Sequence, residues 1–170
     1  MIRRTIFFAV FLAAIMAVFS AGAIAQDRSA EFTRSRLDRQ IRKEILTLPY
    51  YGVFDAIGYQ ISGDTVTLTG YVVRPTTKKD AEESISDISG VGRVVNDIKV
   101  LPLSPSDDRL RSRILQTLSN QGGSLYRYFL GANPSIHIIV ANGRVSLEGY
   151  ADNRGDANRA YILTRGVSGS

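Results

Sequence analysis

The sequence predicts an α+β protein made of two tandem α-β-β-α-β units, each a small mixed sheet covered on one face by two helices. Three observations predict it. The stretch Gly63-Asp64-Thr65-Val66-Thr67-Leu68-Thr69-Gly70-Tyr71-Val72 recurs without gaps as Asn142-Gly143-Arg144-Val145-Ser146-Leu147-Glu148-Gly149-Tyr150-Ala151. Each copy is flanked by segments whose apolar residues recur every three or four positions, the signature of helices with one buried stripe. Within each copy apolar and polar residues alternate, which means a sheet buried on one side only, and the helix stripes are what can bury it.

The elements follow in order. Leu37, Ile41, Ile45 and Leu48 form one face of a first helix, which Pro49 stops. Ile57, Tyr59 and Ile61 alternate with Gly58, Gln60 and Ser62 as a strand, Gly63-Asp64 turns the chain, and Thr65 to Val72 returns. Thr77 is the expected cap of a second helix with Ala81, Ile85 and Ile88 as its stripe and Gly90 as its terminator. Val94 to Leu101 is the third strand. This first unit spans 37–101, after a lead-in at 26–36, and a short proline-stiffened linker follows at 102–106.

The second unit, 107–170, repeats the plan. Ser106 is the expected cap of a helix carrying Leu110, Ile114, Leu115 and Leu118, and Gly122-Gly123 stop it. Ile136, Ile138 and Val140 mark a strand, Asn142-Gly143 a turn, and Arg144 to Ala151 the return strand. A last helix from about Gly155 carries Ala157, Ala160 and Tyr161, and Gly166-Val167 echoes Gly90-Val91. Only Ser168, Gly169 and Ser170 follow, so the second unit is expected to lack its last strand. The edge left open is then expected to accept a partner strand or a second copy of the chain, the alternative being a longer chain that completes the fold itself. Gly70 and Gly149 are read as places of close backbone approach or bulges.

Composition narrows the function. With 170 residues, 44% hydrophobic and 22% charged, the chain has room for two small domains of ordinary globular make-up. The absence of cysteine excludes disulfides, thiolate nucleophiles, iron–sulfur clusters and thiolate zinc sites. Arg3 and Arg4 precede an apolar run from Ile6 to Phe19 and then Ala23-Ile24-Ala25, the pattern of a cleaved signal peptide at 1–25 with Gln26 as first mature residue. The expected location is the periplasm. The alternative is an uncleaved inner-membrane anchor, since Ile6 to Ala25 approaches the ~20 residues that span a bilayer. Of the net charge of +5, two positive charges belong to Arg3 and Arg4. The remaining excess is too small to point to nucleic acid.

An exported chain with tandem α-β-β-α-β units, each built on a V-x-L-x-G strand, resembles the BON family. The residues that carry the resemblance are Val66, Leu68 and Gly70 with Gly90-Val91, and Val145, Leu147 and Gly149 with Gly166-Val167. The resemblance runs from about Leu37 to Ser170. It implies a non-enzymatic module that contacts phospholipid membranes or envelope proteins under osmotic or envelope stress, without cofactor, and supplies no catalytic residue. The missing third strand of the second unit is where this sequence departs from the pattern.

A search for chemistry agrees with that implication. His137 is the single histidine, and its alternation with Ile136 and Ile138 places it on the outer face of a strand, where neither a metal site nor a triad can be assembled around it. Asp107 and Asp108 are neighbours at a helix start, where they suit the helix dipole and diverge too far to act on one substrate. Gly90-Val91-Gly92 follows a helix and leads into a strand, the reverse of a dinucleotide-binding loop.

Two clusters carry functional readings. Arg36, Arg39 and Lys43 share one helix face, with Arg34 and Arg42 nearby, and read either as a solvated face or as a contact for anionic lipid. Tyr126-Arg127-Tyr128-Phe129, like Tyr50-Tyr51 with Phe54 in the first unit, reads either as a plug closing a small core or as an interfacial contact for lipid or a partner. A protein–protein adaptor or holdase-like factor, using the exposed sheet faces or the open edge, is the other function class.

Overall fold

The computed structural model describes residues 31–120, 123, 125–131 and 133–168. The expected signal peptide at 1–25 and the expected helix stop at Gly122 lie outside these residues. From Ile41 to Ser170 the chain forms one compact unit that contains the strands of both repeats, and residues 31–40 belong to a separate unit.

Helix α1 covers 31–47. Leu37, Ile41, Ile45 and Leu48 are all buried, as their spacing predicts. Strand β1 (Ala56–Ser62) pairs antiparallel with β2 (Thr65–Val72), from Ala56↔Tyr71 to Ser62↔Thr65. Val66, Leu68 and Val72 point to the helix-covered face and are fully buried, each contributing about 1.5–3 kcal/mol by leaving water.

Helix α2 (Pro75–Ser86) does not start where expected. Pro75 occupies its first turn, where the missing N–H costs nothing and the ring already holds a helical φ. Thr77 therefore sits inside the helix, buried, rather than capping it. Ala81, Ile85 and Ile88 are buried as predicted, and Gly90 follows in the left-handed region at φ 102°.

The third strand is split into β3 (Arg93–Asn96) and β4 (Lys99–Val100), both parallel to β2. Asn96 causes the break. Its Oδ1 accepts from Ile98 N at 3.2 Å while its Nδ2 donates to Lys78 O at 2.9 Å, so the side chain competes with the ladder for the local backbone. The sheet is mixed, with β2 at its centre.

In the second repeat, helix α3 (Pro105–Asn120) again opens on a proline. Ser104 takes the capping role expected of Ser106, its Oγ accepting from Asp107 N at 3.3 Å. A single turn, α4 (Tyr126–Phe129), precedes β5 (Ile136–Ala141) and β6 (Arg144–Gly149). The turn between these strands has Asn142 at φ 53° and Gly143 at φ 76°, the type I′ geometry that matches strand twist. β5 and β6 form a two-stranded antiparallel sheet.

Helix α5 (Arg154–Ser168) runs straight through Gly166. The echo of Gly90-Val91 in Gly166-Val167 is therefore one of sequence only, because Gly166 continues a helix where Gly90 follows one. The expected stripe is also corrected. Ala160 is buried, but its buried companions are Asp156 and Thr164, and Tyr161 is 61% exposed.

The glycine of the repeated strand behaves alike in both units. Gly70 has φ 111° and Gly149 φ 127°, and a Cβ on either would collide with a carbonyl oxygen, that of Ala56 or of Ser135. Close approach of the neighbouring strand start is what excludes any side chain there.

Candidate functional site

The largest departure from the sequence expectation is at β5. A sheet covered on one face leaves His137 outside, yet Ile136, His137, Ile138, Ile139 and Val140 are all buried. The first repeat supplies the reason. Its 51–55 loop runs along the outer edge of β5, where Ile138 N donates to Val53 O at 2.7 Å. His137 Nδ1 donates to Gly52 O at 3.1 Å, and its ring lies 5.6 Å from that of Tyr51. Val53 and Phe54 pack against the core of the second repeat.

Asp55 shapes this loop. Its buried carboxylate accepts from Gly52 N at 3.0 Å and from Val73 N at 2.7 Å, tying the loop to the end of β2. Burial raises its pKa above the ordinary 3.8, against the pull of those two bonds. Burial likewise pushes the Tyr51 hydroxyl up and the His137 imidazole down from 6.5. Nothing in the local sequence marks Asp55, because its partners are backbone groups. The unbroken apolar run Ile138-Ile139-Val140 was the signal for the second covered face.

Beside this seam lies a cleft of about 490 Å³, with Tyr51, Tyr59, Tyr71, Arg42, His137 and Glu148 in its walls. The imidazole is oriented by a carbonyl and a ring, with the Asp55 carboxylate nearby. Among the described residues no group of three His, Asp or Glu side chains is placed to hold a metal ion.

Asp107 and Asp108 part company. Asp107 is buried and its two oxygens accept from Asn142 N at 2.8 Å and Gly143 N at 2.9 Å, so it holds the β5–β6 turn against the start of α3. Asp108 pairs with Arg111, a buried guanidinium that also donates to Val140 O at 2.6 Å. Helix-dipole compensation, the sequence reading for the pair, omits the contacts of Asp107 because they join residues far apart in the chain.

The residues expected to contact lipid or a partner fall into four groups. Arg36, Arg39 and Lys43 are exposed on α1 and form no ion pair among the described residues. Tyr128 and Phe129 are 2% and 1% exposed and belong to the core with Leu110, Ile114 and Ile138. A surface contact through them is thereby corrected, since two large rings are what close this small core. Tyr126 is 57% exposed, on the other side of the same turn.

Arg127 is exposed but engaged. Its Nη2 meets Asp152 at 3.0 Å, Asp156 at 3.2 Å and the Tyr128 hydroxyl at 2.7 Å. The Tyr128 hydroxyl in turn donates to Asp156 at 2.8 Å. In the first repeat Arg74 lies over the exposed Tyr50 ring at 4.5 Å.

Of the motif residues, Val66 and Leu68 are core, while Val145 and Leu147 are only half-buried. Val91 and Val167 are half-buried too. Among the described residues no helix is long and apolar enough to cross a membrane.

Comparison with known proteins completes the description. No curated protein sequence matches the chain at a significant level. Among solved structures, the chain is similar to CdsD, a structural protein of the type III secretion system of Chlamydia trachomatis, at 15% identity and a TM-score of 0.31, covering 78% of this chain and 85% of that one. A structure of the C-terminal domain of CdsD gives 13% identity and a TM-score of 0.30, covering 76% and 88%. The pattern of the BON domain matches twice, at residues 34–102 and 106–170, and with both repeats accounted for the chain belongs to the BON domain family.

Proposed function

We propose that this chain is an exported, non-enzymatic binding module that associates with the anionic phospholipid surface of the cell envelope. The observation that carries the reading is the solvent face of α1. Arg36, Arg39 and Lys43 recur there at spacings of three and four, opposite the buried Leu37, Ile41 and Ile45, and no carboxylate among the described residues pairs with them. Cations that hold no partner give up little on reaching headgroups and gain about 1 kcal/mol each near the surface. Exposed Tyr126 adds an amphipathic ring suited to the same interface. Export rests on the 1–25 pattern, and osmotic or envelope stress is the setting that the family resemblance suggests.

Co-sedimentation with vesicles of neutral or anionic phospholipid tests this. The chain is expected to pellet with anionic vesicles at low salt and to be released as salt rises. Arg39→Glu with Lys43→Glu is expected to weaken pelleting about tenfold or more and leave the melting temperature nearly unchanged, because exposed charges contribute little to stability. Equal pelleting with neutral vesicles, or no response to salt, would remove the electrostatic role. The adaptor reading is favoured by a different observation, the edge of β6, which has no backbone partner among the described residues.

A further inference from the structure

The two hairpins share one register, and the cleft beside the seam collects the same positions from both. Gly58 pairs with Thr69 and Ala56 with Tyr71 in the first. In the second, His137 pairs with Glu148, and Ser135 O accepts from Tyr150 N at 3.0 Å. Each of these residues lines the cleft. Thr69 and Tyr71 alternate with the buried Leu68 and Val72, so their side chains leave the helix-covered face. The repeated ends Gly70-Tyr71 and Gly149-Tyr150 thus converge on one cavity, walled entirely by the compact unit that starts at Ile41. No residue of β3 or β4 reaches it, so the strand position beside β2, and its counterpart beside β6, lies outside its walls.

Two features of this cleft are not required by the fold. Gly58 stands in the middle of β1 without a left-handed backbone, and a Cβ there would meet Thr69 Oγ1 at 3.4 Å, an ordinary contact. Nothing within the sheet excludes a side chain from it, as Gly70 and Gly149 are excluded, and its counterpart His137 carries one. A glycine inside a strand with no backbone reason marks close approach by another group. Tyrosine is the second feature. Four of the chain's eight tyrosines, Tyr51, Tyr59, Tyr71 and Tyr150, line this one cleft, and Tyr150 is 69% exposed.

We infer that the cleft binds a saccharide, its sugar rings lying over Gly58 against the tyrosine faces. The C–H groups of a pyranose carry partial positive charge that suits the negative face of an aromatic ring, and its hydroxyls reach the polar groups around it. The charges select the same class. Arg42 donates from one wall, and Glu148, whose Oε1 accepts from Ser146 Oγ at 3.0 Å, accepts from another. An anion would meet Glu148, a cation would meet Arg42, and an acyl chain would leave both without hydrogen-bond partners. A neutral ligand rich in hydroxyls satisfies both. The volume of about 490 Å³ falls within the ~300–1,000 Å³ of ligand sites and suits a short oligosaccharide.

The inference does not rest on lipid association and is tested on the full chain without vesicles. The probes are cellotetraose, chitotetraose and, for contrast, choline. The chain has no tryptophan, so its tyrosine emission reports on the cleft. At least one of the two oligosaccharides is expected to change that emission saturably, and choline is expected not to. Tyr150→Ala is expected to weaken the binding about tenfold or more at an unchanged melting temperature. Gly58→Val is expected to weaken it equally while holding or raising the melting temperature, since a β-branched residue favours a strand. Glu148→Gln, which keeps an acceptor without the charge, is expected to retain binding. The inference is overturned if neither oligosaccharide binds, or if Gly58→Val and Tyr150→Ala leave binding unchanged. Choline binding that Glu148→Gln removes would make the cleft a cation cage and equally overturn it.

Discussion

Asp107 shows how one side chain can fix a supersecondary unit. A carboxylate that is buried and accepts two backbone N–H groups leaves both donors, and the turn that carries them, unsatisfied when it is removed. Hydrogen bonds to a charged group contribute about 1.5–3 kcal/mol each, with strong coupling between neighbours. Asp107→Ala is therefore expected to lower the unfolding free energy by roughly 3 kcal/mol in urea titration. Asp107→Asn, which keeps one acceptor, is expected to cost less. Equal losses for the two variants would assign the effect to packing and not to the turn contacts. Neighbouring Asp108, more than half exposed and paired with Arg111, holds no such position in the fold.

At the scale of elements, α4 is one turn with two characters. Phe129 and Tyr128 point into the core of the second repeat while Tyr126 points to solvent. Phe129→Ala is expected to cost about 3–5 kcal/mol, and Tyr126→Ala about 0.5 kcal/mol or less. Melting curves beside vesicle pelleting separate the roles, with Tyr126→Ala expected to weaken pelleting at nearly constant stability. If Tyr126→Ala changes neither quantity, the aromatic contribution to the lipid surface is gone and the α1 cations stand alone. α5 has the same divided character, with Ala160 turned to the core and Tyr161 exposed.

At the scale of the molecule, the two repeats are joined through the 51–55 loop and β5. His137 sits in that seam as a neutral imidazole whose pKa is lowered by burial, partly opposed by Gly52 O and by the Asp55 charge. Its folded value lies below the ordinary 6.5, so the stability it contributes is present above 6.5 and is lost as pH falls through the folded value. Asp55, raised above 3.8 by burial, has the opposite sign, its contribution being present below 3.8 and lost as pH rises through its own folded value. The melting temperature is expected to fall as the solution is taken from about pH 7.5 to about pH 5.5, the range in which an ordinary histidine titrates. His137→Gln is expected to remove that slope. A slope that survives the substitution would place the acid-sensitive group elsewhere.

Much of this protein is determined by the sequence alone, because its signals are local. Val66 and Leu68, and the stripe Ile41-Ile45-Leu48, reach the core since period two and period 3.6 are properties of a strand and a helix by themselves. Gly70 and Gly149 are legible for the same reason, as the repeated strand leaves no room for a Cβ at that step. The expected caps Thr77 and Ser106 lie three and two residues beyond the observed Arg74 and Ser104, because Pro75 and Pro105 outweighed the nearby hydroxyls. What only the tertiary structure decided involves partners distant in the chain. Asp55 and Asp107 serve backbone groups outside their own elements, His137 is buried by the other repeat, and Tyr128 and Phe129 are core while Tyr126 beside them is not. A periodic pattern states that a face is to be covered. Which residues cover it is set when segments far apart in sequence meet.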